Sequence, residues 1–207
     1  GVQAHSAHPD LGINAISRLI VVLDEIFKNY NINNEFFDFF NKYINIQYNG
    51  KDFGIYCEDE TGKLTLNVGN FELDVENNNL QFGINLRVPV NTSLDNIEKI
   101  VRKLLEKYPN ISLKVSGRKE PLNVPKNSYL VKTLCKIYND ITKSNTEPIA
   151  IGGATYARAF DNCVSFGANF PGQEDMCHKT DEFIDIDNLI LASKIYAQAI
   201  WELARNL

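Results

Sequence analysis

Between residues 64 and 88 apolar side chains recur at every second position, the period that sorts alternate residues of a strand onto opposite faces. Leu64, Leu66 and Val68 open the pattern, Phe71, Leu73 and Val75 resume it, and Leu80, Phe82, Ile84, Leu86 and Val88 extend it. A segment of this kind has one greasy face, and the rest of the chain has to cover it. Antiparallel strands are expected, joined at Gly69-Asn70 and at the Asn77-Asn78-Asn79 turn. The flanking segments supply the cover. Residues 11–27 place Ile13, Ile16, Ile20, Leu23 and Phe27 at helical spacing. Residues 35–43 form a second helix whose Phe36, Phe37, Phe39, Phe40 and Tyr43 are too many to stand in water, so it is expected to pack on the sheet. Thr92 or Ser93 caps a third helix, lined by Ile97, Ile100, Val101, Leu104, Leu105 and Tyr108. With an edge strand over 2–8 and a short strand over 111–115, this half reads as an α+β layer, helices on one face of an antiparallel sheet.

A different grammar follows residues 117–125, a stretch rich in Gly, Pro and charge without apolar period. Helices are expected over 128–141 and 189–203, with short strands at 148–151 and 163–166. Alternation of helix and strand suggests part of an α/β sheet, and two strands need neighbours from elsewhere. The expected fold class is therefore α+β followed by α/β, with domains at 1–117 and 118–207.

Composition removes several classes of function. The chain has 207 residues and a net charge of -5, from 26 acidic and 21 basic residues mixed along its length. No basic stripe is present to neutralise phosphates, so no nucleic-acid partner is expected. No segment approaches the roughly 20 apolar residues of a membrane helix, and no membrane partner is expected. Cys57, Cys135, Cys163 and Cys177 form no C-x-x-C pair and read as reduced thiols of a cytoplasmic protein.

Few residues offer reactive chemistry. His178, in a loop with Asp181 and Glu182, has a metal ligand's chemistry and no second ligand near it in sequence. A lone zinc-type ligand implies a missing remainder, and the chain reads as the C-terminal piece of a larger metalloenzyme. Gly152 and Gly153 follow a strand and open Ala154-Thr155-Tyr156-Ala157-Arg158; they allow either a ligand's close approach or a tight turn. Arg158 either meets an acidic substrate or caps its own helix. Arg87, at the end of the alternating segment, either clasps a carboxylate or is a solvated strand end. His5 is open to a structural or a functional reading.

Taken in order, these segments resemble the M20 family of di-zinc peptidases, most closely its PepV-like and Xaa-His dipeptidase branch. Four motifs carry the resemblance. They are Gly1-x-x-Ala4-His5-x-x-x-Pro9-x-x-Gly12-x-Asn14-Ala15, Asn85-Leu86-Arg87-Val88-Pro89, the Gly152 to Arg158 segment, and His178. The resemblance implies that 1–117 is the C-terminal part of a lid domain and 118–207 the C-terminal part of a catalytic domain. It also implies amide hydrolysis of small peptides by water activated at two Zn ions, most of whose ligands, with the general base, lie upstream of Gly1. His5 would then donate to the oxyanion, Arg87, Gly152 and Gly153 would hold the substrate carboxylate beside Tyr156 and Arg158, and His178 would be the last metal ligand. His8, three residues from His5, could exchange roles with it. Tyr156 stands where deacylase branches commonly carry an acidic residue and favours a dipeptidase. A desuccinylase or acylamino-acid hydrolase, and a non-catalytic interaction module, remain alternatives. The chain alone is expected to be inactive, with Zn not bound, and to self-associate through an uncovered sheet edge.

Overall fold

The computed structural model describes residues 1–167, 169–174, 176–177 and 180–205, arranged as helices and two small antiparallel sheets. Contacts divide the chain into two compact units. The first comprises Gly1–Pro121 with Ala150–Gly153, the second Leu122–Ile149 with Ala154–Leu207.

In the first unit, β3 (Thr65–Asp74) pairs with β4 (Asn79–Arg87), and a smaller hairpin joins β1 (Glu58–Asp59) to β2 (Gly62–Lys63). The alternating segment thus forms one long hairpin, and Gly69-Asn70 is not the turn expected there. Register runs from Thr65 opposite Arg87 to Val68 opposite Ile84, then slips so that Phe71 faces Phe82. One extra residue on β3 is a bulge, and it explains why the apolar positions of that strand change from even to odd while those of β4 stay even. Asn78, at φ 48°, closes the hairpin with Asp74 accepting from the Asn77 amide at 3.1 Å.

Three helices cover the hairpin's apolar face: α1 (Ala15–Asn29), α2 (Glu35–Tyr43) and α3 (Leu94–Leu105). Each begins at a side-chain cap. Asn14, Asn34 and Ser93 accept from the amides of Ser17, Phe36 and Asn96 at 2.9, 2.8 and 3.2 Å. Asn31 and Asn45, both left-handed, reverse the chain after α1 and α2. The aromatic crowding of α2 is resolved by burial: Phe36 meets Phe82 edge-on at 5.6 Å, and Phe40 meets the same ring at 5.9 Å. Ile20, Phe39, Phe40, Ile44, Leu64 and Leu66 are the innermost side chains of this core.

The first fourteen residues do not form the expected strand. Their backbone makes a single bridge, Val2 to Ile13, and a 3-10 turn over Pro9–Leu11. Residues 111–115 are likewise outside any ladder, with Ile111 and Leu113 spent on the core instead.

The second unit rests on α4 (Tyr129–Thr142) against α5 (Ile186–Ala204), through Leu134, Ile137, Ile195 and Ala199. The strands expected at 148–151 and 163–166 are not formed. A strand exists only with a ladder partner, and among the described residues neither segment has one. Val164 and Phe166 pack on the two helices, which accounts for their apolar character without a sheet. Among the described residues, no helix is long and apolar enough to cross a membrane.

Candidate functional site

The His5 segment shows why most of its motif positions carry the residues they do. Val2 and Ile13 exchange backbone hydrogen bonds of 3.0 and 2.9 Å, closing a loop over residues 3–12. A side chain at Gly12 would lie 2.6 Å from the Val2 carbonyl oxygen and 2.7 Å from the Ala4 Cβ, so Gly12 and small Ala4 are required together. Buried Pro9 starts the 3-10 turn. Asn14 caps α1 with its oxygen, while its amide nitrogen donates to Asn67 Oδ1 at 2.9 Å and the Val68 carbonyl at 2.8 Å. These bonds tie the loop's end to β3. The His5 ring is exposed.

The turn nevertheless fixes that ring. The Ala7 amide donates to His5 Nδ1 at 3.2 Å, and the His8 amide donates to the His5 carbonyl at 2.8 Å. An Nδ1 that accepts keeps its lone pair, so the neutral imidazole carries its proton on Nε2. Nε2 is then a donor, as oxygen-charge stabilisation requires. The His8 ring lies 6.4 Å from that of His5, tilted by 43°.

Arg87 ends β4 on the hairpin's second, polar face, which it shares with Thr65, Asn67 and Asn85. Its Nη2 donates to Ser6 Oγ at 3.2 Å, across 81 residues of sequence. Its Nε is buried without a hydrogen-bond partner, and Thr65 Oγ1, directly opposite in register, is equally unsatisfied. Among the described residues no carboxylate lies within ion-pair distance of this half-buried guanidinium. A cation so placed has lost hydration without gaining a counter-ion, an arrangement that favours an anionic ligand.

Gly152 joins the same neighbourhood. A Cβ at this position would fall 2.8 Å from the Ala7 Cβ, so the backbone of 152 approaches the His5-Ser6-Ala7 turn as only glycine permits. One three-residue turn therefore presents the His5 imidazole, holds Arg87 through Ser6 and seats Gly152 against Ala7. Gly153 follows Gly152 in the first unit. Ser6, Ala7 and Thr65 were not singled out in the sequence. The signal for Ser6 was its position inside the His5 motif, and for Thr65 its parity with Arg87 across the hairpin.

Tyr156 and Arg158 lie in the second unit, on a 3-10 turn spanning Tyr156–Ala159. Tyr156 is 96% exposed. At the opening of that turn Thr155 Oγ1 accepts from the Ala157 amide at 3.3 Å and from the Ser165 hydroxyl at 2.6 Å. His178 lies outside the described residues. Among the described residues no three His, Cys, Asp or Glu side chains converge as a metal site needs.

One turn thus gathers the His5 imidazole, the Arg87 guanidinium and the Gly152 backbone. Residues 46–202 match the model of peptidase family M20/M25/M40, and the chain belongs to that family. Similar curated proteins include "Putative dipeptidase YtjP" of Bacillus subtilis, 36% identical over 99% of this chain and 43% of its own length. "Putative dipeptidase SH1171" of Staphylococcus haemolyticus and a "Putative dipeptidase" of Staphylococcus epidermidis are each 34% identical over 98% of this chain and 43% of theirs. The chain thus spans less than half the length of the curated relatives it matches.

Proposed function

We propose that this chain supplies the substrate-recognition side of a dipeptidase site. Arg87, with the Gly152-Gly153 backbone, binds the carboxylate of a small peptide, and His5 Nε2 donates to the oxygen that becomes negative as the scissile carbonyl is attacked. The reaction adds water across the peptide C–N bond, its hydroxyl to the carbonyl carbon and its proton to the departing amine. The observation that carries the reading is the half-buried Arg87 guanidinium, without a carboxylate partner among the described residues and joined through Ser6 to the His5 turn. The relatives' names support the substrate class.

The finer assignments belong to the same proposal and rest on the motif resemblance. They are dependence on Zn with His178 as a ligand, the PepV-like branch, Tyr156 and Arg158 as further substrate contacts, and a cytoplasmic location. The division into a lid part over 1–117 and a catalytic part over 118–207 is proposed on the same ground. So is the inactivity of these 207 residues by themselves. Self-association of these 207 residues through an uncovered sheet edge belongs to the same proposal.

A panel of dipeptides and N-acyl amino acids, offered to the complete gene product before and after chelation and zinc readdition, tests the reading. Cleavage of dipeptides, lost on chelation and restored by zinc, is expected. Cleavage of N-acyl amino acids alone would replace the dipeptidase reading with a deacylase.

A further inference from the structure

Arg87 is held by a neutral acceptor. Ser6 Oγ is the sole hydrogen-bond partner of its guanidinium among the described residues, at 3.2 Å from Nη2. A carboxylate in that place would restrain the side chain equally well but would also neutralise it. A hydroxyl restrains it and leaves the charge undiminished for a ligand. Ser6 is itself fixed, since the Ala7 amide and the His8 amide both bond back to His5 and close the turn that carries it.

We propose that Ser6 is a positioning residue that aims Arg87 at the substrate carboxylate and couples it to His5, its neighbour in the same turn. The inference rests on the carboxylate role given to Arg87 above. Because the turn is shared, a carboxylate bound at Arg87 and an oxyanion bound at His5 are held at a set separation, which matches the site to a peptide of fixed short length. An acidic residue at position 6 would satisfy Arg87 internally and close the site to anions.

The test is an NMR titration of the chain with N-acetylglycine, with N-acetylglycinamide as the uncharged control. Wild-type protein is expected to prefer the carboxylate. Ser6→Ala should weaken that preference about five-fold, Ser6→Thr should retain it, and Ser6→Asp should abolish it. Unchanged amide shifts at Asn14 and Asn67 show that each variant is folded. If wild type shows no preference, or Arg87→Gln keeps it, the carboxylate reading falls and the proposal with it. If Arg87→Gln loses the preference while Ser6→Ala and Ser6→Asp keep it, the role of Ser6 alone is overturned.

Discussion

Asn14 performs two jobs with one amide group, and this division can be separated experimentally. Its oxygen caps α1 and its nitrogen bridges to Asn67 and Val68 on β3. Asn14→Ala should destabilise the chain by about 2 kcal/mol, near the upper end for a lost cap because buried strand groups also lose their donor. Asn14→Ser should recover about half of that, since a serine caps but does not reach the strand. Urea denaturation of the two variants measures both, and an equal loss from each would show that the cap contributes nothing. The motif around His5 was legible because its glycine, proline and asparagine answer to local backbone rules. The link from Ser6 to Arg87 was not, because nothing in a sequence records that residues 81 apart share a hydrogen bond.

At the scale of elements, the aromatic density of α2 gave its own explanation, and the structure buries it against β4 through Phe36 and Phe40. Phe40 is completely enclosed. Phe40→Ala should cost about 4 kcal/mol, while exposed Ile46→Ala should cost under about 1 kcal/mol. Thermal unfolding followed by circular dichroism would rank them, and similar losses would mean that the helix does not seat as described. Element boundaries of α2, α3 and α4 were readable from caps and period. The strands expected at 111–115, 148–151 and 163–166 were misread because a short apolar run looks the same whether it joins a ladder or packs as a loop, and the difference lies in partners distant in sequence. The bulge at Gly69 was misread for a related reason. A change of parity between Val68 and Phe71 is equally compatible with a turn, and only the unbroken register of β4 distinguishes the two.

For the whole molecule, acid should be the destabilising direction. Among the described residues, three carboxyls are held below the ordinary 3.8: Asp59 by the Thr61 hydroxyl and then the Asn91 amide, Asp74 by Asn77, and Asp95 by Arg118. A depressed carboxyl binds fewer protons folded than unfolded, so its contribution is complete above the ordinary value and disappears as pH falls through the folded one. The melting temperature should therefore hold from neutrality to about pH 5 and drop below about pH 4. Asp59→Asn should flatten the drop, and a profile indifferent to that substitution would show that the Asp59 tie between β1 and Asn91 carries no acid sensitivity.

The proposed recognition surface centres on Arg87. The most direct measurement is the steady-state hydrolysis of a dipeptide and of its C-terminal amide by the complete gene product and its Arg87→Ala variant. The variant is expected to raise KM for the dipeptide at least about ten-fold, to leave the amide nearly unchanged, and so to erase the preference for a free carboxylate. A preference that survives the loss of Arg87 would contradict its role as the carboxylate-binding group.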